Sequence, residues 1–146
     1  MEITREYIKA YFERYGQKEQ EYQDKIKHLE VLKEQLHSFE RHNTEVKSSN
    51  SQSKQDRLIP LIMDLEKELK EDRSKIDEMF IEREKLIRKS SPCYAFILFG
   101  KYLNFRSLQE LADQYGKSKS YAQNRLSKGI DELTEILKNN QAKKVR

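Results

Sequence analysis

The sequence predicts an all-α fold: a long, coiled-coil-like antiparallel helical hairpin followed by a small helix-turn-helix domain. Three observations carry that expectation. Charged residues make up 37% of the 146 positions and mean hydropathy is −1.00. Such a chain cannot cover a large globular core, and must be helical and extended, partly disordered, or both. Only four glycines and two prolines interrupt a composition rich in Glu, Lys, Leu and Gln, which favours long helices. Apolar residues recur at three- and four-residue steps over two long segments, while CYAFILF is the one continuous apolar run and strand signals are weak.

Residues 3–15 place Ile3, Tyr7, Ile8, Tyr11, Phe12 and Tyr15 on one face, a stripe suited to packing. Gly16 weakens continuation, so this is a short helix or a kinked first segment. Residues 18–46 form a long helix with a narrow seam of Tyr22, Ile26, Leu29, Leu32 or Lys33, Leu36 and Phe39. Residues 47–56, KSSNSQSKQD, lack periodicity and predict a flexible loop. A second long helix spans 57–89, with Pro60 in its first turn, where the missing N–H costs little. Its seam of Leu58, Ile62, Leu65, Leu69, Ile76, Met79 and Leu86 is interrupted by Asp72 and Arg83. These two either snorkel at the seam edge or fix the register between helices. The short connection favours an antiparallel pair, which makes 1–89 the hairpin domain, with Tyr7, Tyr11 and Tyr15 as a surface on which two copies could associate.

Ser90-Ser91-Pro92 ends the second helix, because a residue before proline avoids the helical region and proline suits the first position of a new helix. The apolar run 93–103 then opens a domain spanning 90–140. Asn104-Phe105-Arg106 connects it to SLQELADQYGKSKSYAQNRLSKGIDEL, residues 107–133. Leu108, Leu111, Ala112 and Tyr115 form the stripe of a short helix. Ser107 and Glu110 make a capping box, and Gly116 suits the C-cap. Ser118 caps a second helix, whose stripe continues through Ile130, Leu133, Ile136 and Leu137. Two helices joined by a short glycine-containing turn match the DNA-binding helix-turn-helix. NNQAKKVR ends the chain as a frayed basic segment, with 141–146 as the tail proper.

The second motif helix presents Lys119, Ser120, Tyr121, Gln123, Asn124, Ser127 and Lys128 in its first turns. Amides can bond adenine edges, Lys can reach guanine, and Ser can bond base or phosphate. Gln123 and Asn124, with Ser120 and Tyr121, are the expected base readers, with Ala122 and Leu126 turned inward. Lys101, Arg106, Ser107, Lys117 and Lys119 are the expected phosphate contacts, with Ser118 beside them; Arg125 is the alternative to Asn124 as a DNA contact, most simply to a phosphate. Residues 90–146 hold ten basic against five acidic side chains, and residues 1–89 nineteen against twenty, so the basic excess lies wholly in the motif segment. The competing explanation is a solvated face on an ordinary three-helix domain.

Other classes find little support. Cys93 is single, so there is no disulfide framework. The N-terminus is charged from Glu2, which predicts no signal peptide, and no run approaches the ~20 apolar residues that span a bilayer. His28, His37 and His42 do not form a metal site. There is no phosphate loop, nucleophile elbow or spaced carboxylate pair, so neither an enzyme nor a cofactor is expected. The expected setting is the cytoplasm of a bacterial host cell.

The order of parts resembles small phage-encoded transcriptional regulators of Gram-positive bacteria, the RinA-like and ArpU-like late-gene activators, whose C-terminal domain is similar to region four of sigma factors. The resemblance covers about residues 55–137. It rests on IMDLEKELKEDRSKIDEMFIEREKLI, KYLNFRSLQELADQYGKS and the closing GIDELTEIL. It implies a sequence-specific DNA-binding regulator, with double-stranded DNA, host RNA polymerase and a second copy of the chain as candidate partners and no membrane. Two residues depart from the family pattern. Arg125 stands where an apolar residue is usual and Gly129 where a helix former is usual, which predicts a rotated or kinked recognition helix. The alternatives are a coiled-coil adaptor that grips a host or phage protein, and a small terminase-like DNA-packaging subunit, although those usually carry the DNA-binding domain first.

Overall fold

The computed structural model describes residues 2–42 and 49–145. Its helices are α1 (Arg5–His42), α2 (Ser49–Ile87), α3 (Pro92–Leu98), α4 (Leu108–Tyr115) and α5 (Lys119–Val145), with a π-helical turn, Phe99–Leu103, after α3. Among the described residues there is no strand and no helix long and apolar enough to cross a membrane. The fold is all-α, a helical hairpin with a small helical domain.

Two compact units divide the chain, residues 19–76 and residues 1–18 with 77–146, so both boundaries fall inside the long helices. In the first unit the arms of α1 and α2 run antiparallel, as their cross-links show. Glu19 pairs with Arg73 at 3.4 Å, Lys25 with Asp72 at 2.6 Å and Glu68 at 2.7 Å, and Lys33 with Glu66 at 3.3 Å. Leu58, Ile62, Leu69 and Ile76 are buried along the predicted seam. Asp72 is engaged by Lys25 from the other arm, a register contact rather than a snorkelling side chain. The hydrogen bonds that the Lys25 ammonium donates to Asp72 and Glu68 raise its pKa. Its contribution is therefore complete at neutral pH and is lost only as pH rises through that raised value.

The second unit joins the ends of the chain. Ile8 and Phe12 of α1 are fully buried, and Phe12 stacks on Tyr102 with ring centroids 4.9 Å apart. Tyr15 is buried and stacks on Phe105 at 5.6 Å. The aromatic stripe of α1 is thus packing, as predicted. Its partners, however, come from the end of α2, Phe80 and Arg83, as well as from Tyr102 and Phe105, and Tyr11 and Tyr15 are not exposed for association between copies. The small domain accordingly includes the start of α1 and the end of α2, where the sequence suggested a cut at residue 89.

Four local expectations are corrected. Gly16 does not end a helix: α1 runs through it, and a Cβ there would meet only the Phe105 ring, at 3.4 Å. Gly16→Ala should therefore raise stability by about 0.5–1 kcal/mol, the gain in helix propensity, read as an upward shift in thermal melting. Residues 49–56 are helical rather than loop, and 47–48 lie outside the described residues. That stretch has no glycine or proline to stop α2, and Pro60 is consequently interior to the helix. Residues 99–103 are wound as a π-helix. Ile97 and Leu98, then Tyr102 and Leu103 five residues on, are all buried, a spacing the wider winding accommodates. Finally, α5 continues to Val145, since NNQAKK contains no breaker.

Candidate nucleic-acid interface

The site is built from α4, the turn after it, and α5. Ser107 starts α4: its hydroxyl accepts the Glu110 N–H at 3.1 Å and lies 3.3 Å from the Glu110 carboxylate, to which it donates. The capping box is present, with the glutamate on the serine hydroxyl. Gly116 ends the helix at φ 64°, ψ 34°. The Lys117 N–H bonds the Ala112 carbonyl at 2.9 Å and the Gly116 N–H that of Asp113 at 3.1 Å, the paired bonds of a left-handed glycine cap. Ser118 then accepts the Tyr121 N–H at 3.3 Å and starts α5.

The inner face of α5 is set by Ala122, Leu126, Ile130 and Leu133, all buried. Leu111 and Ala112 of α4 are buried as well. Gly100 permits that packing, because a Cβ there would sit 2.5 Å from the Leu111 Cδ2. The N-terminus of α3 is held by Glu132 of α5, whose carboxylate accepts the Ser91 N–H at 2.8 Å and hydroxyl at 2.9 Å.

At 100° per residue the remaining positions of α5 sort into three rows. Ser120, Asn124 and Lys128 form the outward row and are exposed. Tyr121 and Arg125 form a row toward α3 and α4: Tyr121 lies edge-on to Tyr115 at 5.9 Å, and Tyr115 edge-on to Phe96 at 5.3 Å. Burial, with the neighbouring Tyr121, raises the Tyr115 pKa, so its phenol is neutral and bonds the Cys93 carbonyl. Gln123 and Ser127 lie in the third row, toward the start of α1. Gln123 is exposed, whereas the Ser127 hydroxyl accepts from Arg5 at 2.7 Å, and Arg5 also pairs with Asp131.

The cationic positions differ in setting. Lys117 and Lys119 are exposed at the turn, with the Lys117 ammonium 5.8 Å from the Tyr121 ring centroid. Arg106 is exposed beside the α4 cap, and Lys101 is half-buried in the π-turn. Among the described residues, no acid is within ion-pair distance of Lys117, Lys119, Lys128 or Arg106. Residue typing had found the cap residues and the inward pair. It had not distinguished Ser127 from its neighbours, because the Arg5 that engages it is 122 positions away. Nor did Gly129 kink α5, which is continuous through it. The chain matches no family description, curated protein or solved structure.

Proposed function

We propose that the chain is a sequence-specific DNA-binding transcriptional regulator of a phage or mobile genetic element, an activator of late genes, working in the bacterial cytoplasm. The observation that carries this reading is the outward row of α5. A capped two-helix motif presents Ser120, Asn124 and Lys128 to solvent from a helix whose opposite face is locked in the core. The start of the second helix in such a motif is the part that enters the major groove. Unpaired Lys117 and Lys119 at the turn supply the attraction to phosphate. Host RNA polymerase is the partner an activator needs. An apolar groove of about 530 Å³, lined by Ile87, Phe96, Phe99 and Leu111 with Arg106 and Gln114, suits a protein contact to which α5 contributes nothing.

Selection of bound sequences from random DNA with the full-length protein tests the reading, and enrichment of no motif would sink it. Given a motif, Asn124→Ala should lose about 1–3 kcal/mol on the cognate duplex and almost nothing on a scrambled one. The pair Lys117→Ala/Lys119→Ala should weaken both duplexes alike. Titrations at one salt concentration separate the two outcomes. A second reading, an adaptor that grips another protein, draws on the unit spanning residues 19–76, where Val31, Ile59, Leu61 and Met63 are exposed. Binding of DNA without sequence preference would favour it.

A further inference from the structure

The two residues of α5 that depart from the expected pattern, Arg125 and Gly129, stand four apart and share one edge of the helix. Gly129 is buried. A Cβ at that position would lie 3.1 Å from the Cβ of Tyr94 and 3.1 Å from the Cδ1 of Leu98, so the glycine is what lets α3 approach α5. One turn earlier, the approach brings the Tyr94 ring alongside Arg125. The guanidinium carbon of Arg125 lies 5.8 Å from the Tyr94 centroid and 5.0 Å from that of Tyr121. Among the described residues no carboxylate pairs with Arg125. A cation flanked by two rings loses few rotamers when it meets a ligand and keeps outward N–H groups to donate.

Resting on the reading of α5 as the DNA-facing helix, we infer that Arg125 is a phosphate ligand on the edge of that interface and that Tyr94, a residue of α3, positions it. Gly129 and Arg125 are then parts of one device: the first admits the ring that holds the second. Arg125 binds the phosphodiester oxygen, which every sequence offers, so it adds affinity without specificity. Tyr94 extends the functional surface to a helix outside the two-helix motif.

The test uses the full-length protein and a labelled random-sequence DNA duplex, titrated over a range of salt. Arg125→Ala should weaken binding about five- to tenfold and reduce the salt slope by about one. Tyr94→Leu should weaken binding part of the way when Arg125 is present and no further when it is absent, while Tyr94→Phe keeps the ring and the affinity. Should Tyr94→Leu fail to fold, Tyr94→Met in the same two backgrounds decides the point. If the wild-type chain binds and Arg125→Ala retains both affinity and slope, the phosphate role is wrong and the DNA reading survives. If loss of the Tyr94 ring costs the same with and without Arg125, Tyr94 acts through the fold and not as a positioning residue. If the wild-type chain binds no duplex, the DNA reading falls and takes this inference with it.

Discussion

Replacing Phe12 by alanine will cost the helix-turn-helix unit about 3–5 kcal/mol, the range for truncating a fully buried aromatic. Phe12 has no exposed surface, stacks on Tyr102 and meets Tyr11 edge-on at 5.7 Å. The unit it stabilises is the one that contains α3, α4 and α5, although the residue is near the other end of the chain. A neighbouring exposed position is the control: Lys9→Ala should change stability by less than about 0.5 kcal/mol. The same packing makes a stronger forecast for fragments. Residues 90–146 alone will not unfold cooperatively, because Tyr102, Phe105 and Phe99 lose the Phe12, Tyr15 and Phe80 rings they pack on. Circular dichroism melts check both statements, and a sharp transition with full helix content in the fragment would refute the division described above.

Arg83→Ala will be nearly as damaging, at about 3 kcal/mol. Only 2% of Arg83 is exposed. Its Nε donates to the Tyr11 carbonyl at 2.9 Å and a terminal nitrogen to that of Met79 at 3.2 Å, with the guanidinium carbon 3.9 Å from the Tyr11 ring centroid. Burial pushes the Arg83 pKa down, with Tyr11 and Glu82 opposing, and the nearest carboxylate oxygen, of Glu82, is 4.0 Å away. The cation is held by carbonyl dipoles and a ring face, each worth roughly 1–3 kcal/mol when desolvated. Arg83→Lys should recover little, since an ammonium cannot stack and donate along two directions at once. Arg83→Met, which removes the charge and keeps the bulk, should cost less than Ala. Urea denaturation of the three variants gives the order, and wild-type stability in Arg83→Ala would remove Arg83 from the framework.

What could be read from the chain beforehand was local. The serine–glutamate cap at 107–110, the left-handed Gly116 and the inward pair Ala122/Leu126 depend on residues within a turn or two of each other, and each is where residue typing put it. The hairpin was legible for the same reason, because seam periodicity is a property of each helix by itself. Three features were not legible. The engagement of Phe12 by Tyr102 and of Tyr15 by Phe105 joins residues about ninety positions apart, and an apolar stripe does not say what covers it. The π-turn at 99–103 follows from the five-residue spacing of two buried pairs, which is visible only once burial is known. The helical state of 49–56 shows that a polar tract without breakers can continue a helix whose apolar positions lie further on. Arg83 sits between: its seam position was evident, but its carbonyl and ring partners were not.

The division of the chain also has a consequence for synthesis. The unit spanning residues 19–76 is contiguous and complete as soon as its last residue leaves the ribosome. The other unit is made of residues 1–18 and 77–146, so residues 1–18 emerge ahead of the rest of it: Tyr11 waits for Arg83 and Tyr15 for Phe80, and Phe12 waits longest, for Tyr102. At ordinary elongation rates that interval is roughly ten seconds. During it Phe12 lies open to solvent and to any chaperone that samples apolar side chains on nascent chains.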